Sequence, residues 1–300
     1  MALTRRDFLK VFGAGAALLG VGAQVAPPAL TPSRKASPIS PRTENGVLID
    51  TAQCVGCRSC QRACKVANNL PTDDYVTCLS ATTLTYVDLK NVSQTVEKPS
   101  VKPVKLQCMH CEDPACVSVC PVGALQKRED GCVGYDPNKC IGCRYCMAAC
   151  PFGIPKYDWD SPSPKINKCA RECMVNQHTD TPACVQVCPA KALTYGNRSE
   201  LLLIAKDRIA KNPGKYVDHI YGENEIGGAS TLYLSAVPFE QLGFRTDLPN
   251  VPLPQLTMNA MEKVPWVLGG MFTLLSAIAW WTHRGEAEQL VQAPVPISNE

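Results

Sequence analysis

The sequence predicts an α+β protein built as two modules, one nested in the other, followed by a C-terminal extension and one apolar C-terminal helix. Three observations predict it. Sixteen of the eighteen cysteines in the 300 residues fall into four tight groups, in an A, B, A, B order. A turn signal joins the middle two groups, and short apolar strands flank the outer two. A run without Asp, Glu, Lys or Arg extends from Val264 to His283.

The first group is Cys54, Cys57, Cys60, Cys64 and the third is Cys140, Cys143, Cys146, Cys150, the latter followed by Pro151. Both have the C-x2-C-x2-C-x3-C spacing of bacterial ferredoxins, in which three cysteines hold one 4Fe-4S cluster and the fourth ligates its neighbour. Gly56 and Gly142 let backbone approach the inorganic sulfides, where amide hydrogens can bond sulfur. The second group, Cys108, Cys111, Cys116, Cys120, and the fourth, Cys169, Cys173, Cys184, Cys188, are looser versions of the same device. The repeat is internal: Asp50-x3-Cys-Val-Gly-Cys-Arg-x-Cys60 returns as Asp136-x3-Cys-Ile-Gly-Cys-Arg-x-Cys146, and Pro114-Ala-Cys-Val-Ser-Val-Cys-Pro121 returns as Pro182-Ala-Cys-Val-Gln-Val-Cys-Pro189.

Strand-like segments at 124–127 and 132–135 flank Glu129-Asp130-Gly131, a hairpin that joins groups two and three into an inner module. The outer groups then pair, with 47–49 and 193–195 as strands that close them. Four ligand sets result: Cys54, Cys57, Cys60 with Cys188; Cys64 with Cys169, Cys173, Cys184; Cys108, Cys111, Cys116 with Cys150; and Cys120 with Cys140, Cys143, Cys146. A disulfide framework fits poorly, because i, i+3, i+6 spacing cannot satisfy several bridges at once. Four-thiolate zinc sites are the other competitor, and the repeated run with its terminal Cys-Pro favours iron and sulfide. Cys78 and Cys132 stand outside the groups and are expected to be small buried apolar side chains. His110, inside the second group, is expected to pack beside the ligands, and His178 and His219 to be structural. Lys105, Lys127, Lys139, Arg144, Lys168 and Lys191 lie near ligands in sequence and could offset cluster charge. No catalytic triad, acid and base pair or phosphate loop is present, so no catalytic residues are assigned.

The ends carry addresses. Thr4-Arg-Arg-Asp-Phe-Leu-Lys10, a weakly apolar run from Val11 to Val21 and the small residues up to Ala23 read as a twin-arginine export signal, residues 1–23. A proline-rich linker, 24–45, follows. The cysteine-rich domain covers 46–198 with the inner module at 106–158. The extension, 199–262, should hold a helix capped by Ser199 with Leu202, Ala205 and Ile209 on one face. A strand from Thr231 to Val237 and an extended arm with few core residues from Pro238 to Pro265 should follow. Trp266 and Trp280-Trp281 bracket a membrane helix at 263–283, leaving 284–300 as a cytoplasmic tail. These signals imply a chain exported to the periplasmic face of the cytoplasmic membrane and tethered in the lipid bilayer. The formal charge of +3 is small and scattered and excludes a nucleic-acid reading.

With Gln107-Cys-Met-His-Cys111 and Gly142-Cys-Arg-Tyr-Cys-Met-Ala-Ala-Cys-Pro151 between such a signal and such an anchor, the chain resembles the periplasmic iron-sulfur subunits of hydrogenase-2 type NiFe uptake hydrogenases. The wider family takes in the beta subunits of membrane formate dehydrogenases and related molybdopterin oxidoreductases. The resemblance implies two nested bacterial ferredoxin-like modules with four 4Fe-4S clusters on the sets above. It also implies electron transfer from a catalytic hydrogenase heterodimer to an integral membrane subunit that reduces quinone. A molybdopterin catalytic subunit is the alternative partner, and a membrane-tethered scaffold with structural metal is the alternative of another class. Three residues between Cys169 and Cys173, where the family more often has two, set this chain apart.

Overall fold

A computed structural model describes residues 44–72, 76–93, 99–171, 174 and 178–292. The export signal, almost all of the linker, Cys173 and the last eight residues lie outside these. The described chain is organised round a three-stranded sheet with β1 (Asn45–Asp50) in the centre. It pairs antiparallel with β8 (Leu193–Asn197), Val47 opposite Tyr195 and Ile49 opposite Leu193. On its other edge it pairs parallel with β9 (Thr231–Leu234), Val47 opposite Thr231. Alternation along β1 sends Leu48 to one side and Val47 and Ile49 to the other, the period of two that a strand imposes.

Leu48 packs under α5 (Arg198–Lys211) with Leu201, Ala205, Tyr216, Leu232 and Leu234. The cap of this helix is Asn197, whose side chain accepts from the Ser199 amide, two residues ahead of the Ser199 cap expected. The buried face correspondingly centres on Leu201 and Ala205, with Leu202 and Ile209 at its margin.

Between β1 and β8 the chain forms α1 (Ser59–Ala67), then a long hairpin of β2 (Tyr86–Ser93) and β3 (Pro99–Leu106) paired from Tyr86 and Leu106 to Ser93 and Pro99. The short α2 (Ala115–Ser118) leads to β4 (Leu125–Lys127) and β5 (Val133–Tyr135), the tight hairpin expected, with Leu125 opposite Tyr135. Gly131 at its turn adopts φ 79°, and a Cβ there would press on the Asn45 backbone at 3.1 Å. The α3 helix (Tyr145–Ala149), the two-residue strands β6 (Lys156–Tyr157) and β7 (Ile166–Asn167), and α4 (Ala183–Gln186) complete this part.

The arm after β9 departs from expectation. Phe239 and Leu242, in a 3-10 turn at Phe239–Leu242, are buried against Tyr221, Tyr233 and Val237, and Leu253–Met261 form α6. A proline-rich stretch can supply a core when its few large apolar residues meet aromatic rings, and Phe239 and Phe244 pack against Tyr221 at 5.2 and 4.8 Å. The last element, α7 (Val264–Gln292), is long and apolar enough to cross a membrane, and Trp266 is 84% exposed. It continues past Arg284, where a tail was expected.

Candidate metal centres

The backbone of the first and third groups is set by the same local rule. Asp50 and Asp136 each turn the chain: Asp50 Oδ1 accepts from the Ala52 and Gln53 amides, and Asp136 Oδ1 accepts from the Asn138 amide. Gly56 and Gly142 both sit at φ 70°, and Arg58 and Arg144 follow at 61° and 65°. These left-handed residues curl each loop so that its sulfurs face inward.

Three half-closed cavities are lined by these sulfurs. Cys54, Cys57, Cys60 and Cys188 surround one. Cys120, Cys140, Cys143 and Cys146 surround another. Cys64, Cys169 and Cys184 line the third, and Cys173, expected beside them, lies outside the described residues. At a fourth position Cys108, Cys116 and Cys150 act on the charge of Cys111. The seventeen described cysteines form no disulfide. Among the described residues, no three Cys, His, Asp or Glu side chains stand close enough to hold a lone metal ion. The thiols thus do not converge on a point that one zinc ion could occupy, and donors that are thiols throughout suit a cluster of iron and sulfide.

The surroundings of the sulfurs differ in ways that bear on charge. Burial pushes Cys60 up to about 11 and Cys116 up to about 12. The Ser59 hydroxyl and amide hold Cys57 below the ordinary thiol value. Burial would raise Cys140, but the Tyr135 hydroxyl and the Ile166 and Gly142 amides hold it low. The Ala124 amide donates to Cys120 Sγ at 3.3 Å, and the Asn68 side-chain amide to Cys64 Sγ at 3.6 Å. Tyr135, Ser59 and Asn68 were not singled out in the sequence; only a fold brings Tyr135 to Cys140.

Of the six basic residues expected near ligands, three turn inward. Lys105 and Lys168 are buried, and Lys127, near Glu44 and Glu112 at 3.9 Å, bears on Cys111. The others are engaged elsewhere. Lys139 pairs with Asp136 at 3.5 Å, Arg144 lies over the rings of Tyr157 and Trp159 at 5.3 and 5.2 Å, and Lys191 is exposed. Arg171, not foreseen, is buried, donates to the Asn45 carbonyl at 2.8 Å and acts on Cys184 and Cys132.

His110 is wholly buried, and its Nδ1 accepts from the Val133 amide at 3.0 Å. Burial and the nearby Arg171, Lys168, Lys127 and Arg128 keep its pKa well below the ordinary value, so the ring is neutral and structural. Cys132 is buried, as expected, and its thiol donates to the Ala170 carbonyl at 2.9 Å. Cys78 is exposed, contrary to expectation, because the segment bearing it lies outside the packed strands. His219 bonds Glu225 at 2.7 Å and packs on Phe239; His178 borders a surface hollow with Arg128 and Asp180.

A family model described as a 4Fe-4S dicluster domain matches residues 101–198. The Hydrogenase-2 operon protein HybA of Escherichia coli O157:H7 is 36% identical over 322 residues, covering 93% of this chain and 94% of its own. The iron-sulfur subunit of the nitrate-inducible formate dehydrogenase of Escherichia coli K12 is 34% identical over 207 residues, 64% of this chain and 68% of its own. A protein of Nitratidesulfovibrio vulgaris is 42% identical over 259 residues, 83% of this chain and 70% of its own. Cysteine groups and relatives agree: this chain carries multiple 4Fe-4S clusters, transfers electrons within an oxidoreductase complex without being a catalyst by itself, and belongs to the family of iron-sulfur subunits that includes HybA and the formate dehydrogenase iron-sulfur subunits.

Proposed function

We propose that the chain carries electrons through four 4Fe-4S clusters from a periplasmic NiFe hydrogenase to an integral membrane subunit that reduces quinone. The clusters are held by Cys54, Cys57, Cys60 and Cys188; by Cys64, Cys169, Cys173 and Cys184; by Cys108, Cys111, Cys116 and Cys150; and by Cys120, Cys140, Cys143 and Cys146. The observation that carries this reading is that a cysteine from a distant group stands in each described set, as Cys188 does beside Cys54 and Cys120 beside Cys140. The β1 and β8 pairing and the β4 and β5 hairpin support an outer ferredoxin-like module closed round an inner one.

A bound 4Fe-4S cluster accepts and releases one electron at a time. The chain's own residues do the rest: amides donate to sulfur, buried cations offset charge, and packing keeps water away from Cys60 and Cys116. The sets are neighbours, because Cys60 feels Cys184, Tyr233 feels both Cys169 and Cys108, and Cys116 feels Cys146. The α6 helix packs on the Cys116-bearing α2 and leads into α7, which puts the Cys108 set on the side from which the chain runs to its anchor. The chain is exported by its twin-arginine signal and anchored once, by 263–283, with its cysteine-rich body on the periplasmic face.

Metal analysis of the complex that copurifies in mild detergent with a tag after Glu300 tests this. About sixteen iron and sixteen sulfide per chain, with nickel, are expected. Molybdenum or tungsten instead of nickel would move the same wire to a formate dehydrogenase or another molybdopterin enzyme, a reading the formate dehydrogenase relatives support.

A further inference from the structure

Lys105 is 1% exposed. A lysine is almost never buried so fully without an opposing charge. The groups that bear on it are sulfurs of two different sets: Cys60 of the first, and Cys184, Cys169 and Cys64 of its neighbour. The ammonium also bonds the Gln107 side-chain oxygen. The two residues stand on different walls, since Lys105 lines the cavity of Cys54, Cys57, Cys60 and Cys188, and Gln107 lines the cavity of Cys64, Cys169 and Cys184. The Tyr233 hydroxyl donates to the Lys105 carbonyl at 2.8 Å and fixes this point of β3 from the sheet side. A cation and the amide that anchors it thus form the partition between two cysteine-lined cavities.

We propose that Lys105 is a positioning charge shared by two neighbouring clusters, stabilising the reduced form of both, with Gln107 holding its ammonium on the partition. This rests on the reading that both cavities hold 4Fe-4S clusters. Each reduction adds one negative charge, and a fixed positive charge in a dry partition favours it. A cation on the outer wall of one cavity would favour that cluster alone; one on the common wall moves both together. The charge then leaves the gap between the two potentials unchanged.

The test is an EPR-monitored redox titration of all clusters in the intact complex carrying Lys105→Met. The reduction equilibrium constants of the Cys54 and Cys64 sets should each fall about tenfold, or about 59 mV for a one-electron couple. Those of the Cys108 and Cys140 sets should hold, and Lys105→Arg should restore most of the loss. With iron content unchanged, a shift in neither set, in one alone or equally in all four overturns the proposal. If Lys105→Met loses iron, Gln107→Leu decides, because it keeps the charge and frees its anchor. An altered gap between the same two potentials supports the proposal, and any other result overturns it. A wild-type complex whose iron and sulfide fall short of four clusters would instead defeat the cluster reading itself.

Discussion

The Cys54–Cys64 and Cys140–Cys150 segments take the same turn, glycine at φ 70° and arginine at 61° or 65°, and then part company. In the first, α1 runs nine residues because Lys65 follows Cys64; in the third, α3 stops after five because Pro151 forces Cys150 into an extended conformation. The first lies under the β2 and β3 hairpin, with Gly56 against Pro103 and Leu89 and a buried lysine beside it. Val55 and Ile141 are exposed alike, but in the third Tyr145 is exposed where Ser59 is half-buried, and Arg144 is drawn outward onto two rings. A short motif therefore dictates how sulfurs are presented, and distant segments dictate the electrical surroundings they meet. Two copies of one motif can thus serve as unlike stations on one path.

The comparison breaks most sharply at the ligands each segment borrows. Cys188→Ala should abolish the cubane signal of the Cys54 set and Cys120→Ala that of the Cys140 set, each lowering iron by up to about a quarter. Cluster-resolved EPR reads the outcome, and loss of the Cys108 signal in either variant would mean the sets are wrongly drawn. Next come the glycines. Alanine costs about 1–2 kcal/mol at either left-handed site. At Gly142 its Cβ would also meet the Pro164 carbonyl oxygen at 2.6 Å, against 3.2 Å to Pro103 at Gly56. Gly142→Ala should therefore lower Tm and iron retention more than Gly56→Ala; equal losses would contradict the crowding.

Smaller effects should follow the polar neighbours of the sulfurs. Tyr135→Phe removes a hydroxyl that bears on Cys140 and should lower the potential of that cluster by roughly 1 kcal/mol, about 40 mV, leaving the Cys54 set unmoved. Ser59→Ala should do the mirror image through Cys57. The smallest effect belongs to Arg144→Gln. Its guanidinium lies on Tyr157 and Trp159, and the lysine that acts on Cys140 is Lys165, so all midpoints should remain within error in the same titration. A clear shift in the Cys140 set would show that the arginine reaches the cluster.

What was legible in the sequence was what short-range chemistry encodes. Cysteine spacing, Gly56 and Gly142, the Glu129-Asp130-Gly131 turn and the apolar strands at 47–49 and 193–195 each announce themselves within a few residues. What escaped depends on partners far along the chain. Lys105 and Lys191 look alike in sequence, yet one is sealed between sulfurs and the other is exposed, because only the first lies on a strand covered by Tyr233. Cys78 and Cys132 invited one reading and received opposite environments. Phe239 and Leu242 were hidden among prolines, since the aromatic cluster they enter is assembled from Tyr221 and Tyr233.

The sheet has a consequence in time. β4 meets β5 across a handful of residues, whereas β1 must wait for β8, from Asn45 to Asn197, and then for β9. Closing a long loop is slower than closing a short one, and a ribosome delivers the two partners of β1 well apart. The middle of the chain can therefore organise its sulfurs while the first four cysteines still hang open. The earliest cysteines to be synthesised are among the last to be enclosed, and until Cys188 arrives they are reactive thiols exposed to any oxidant or stray metal.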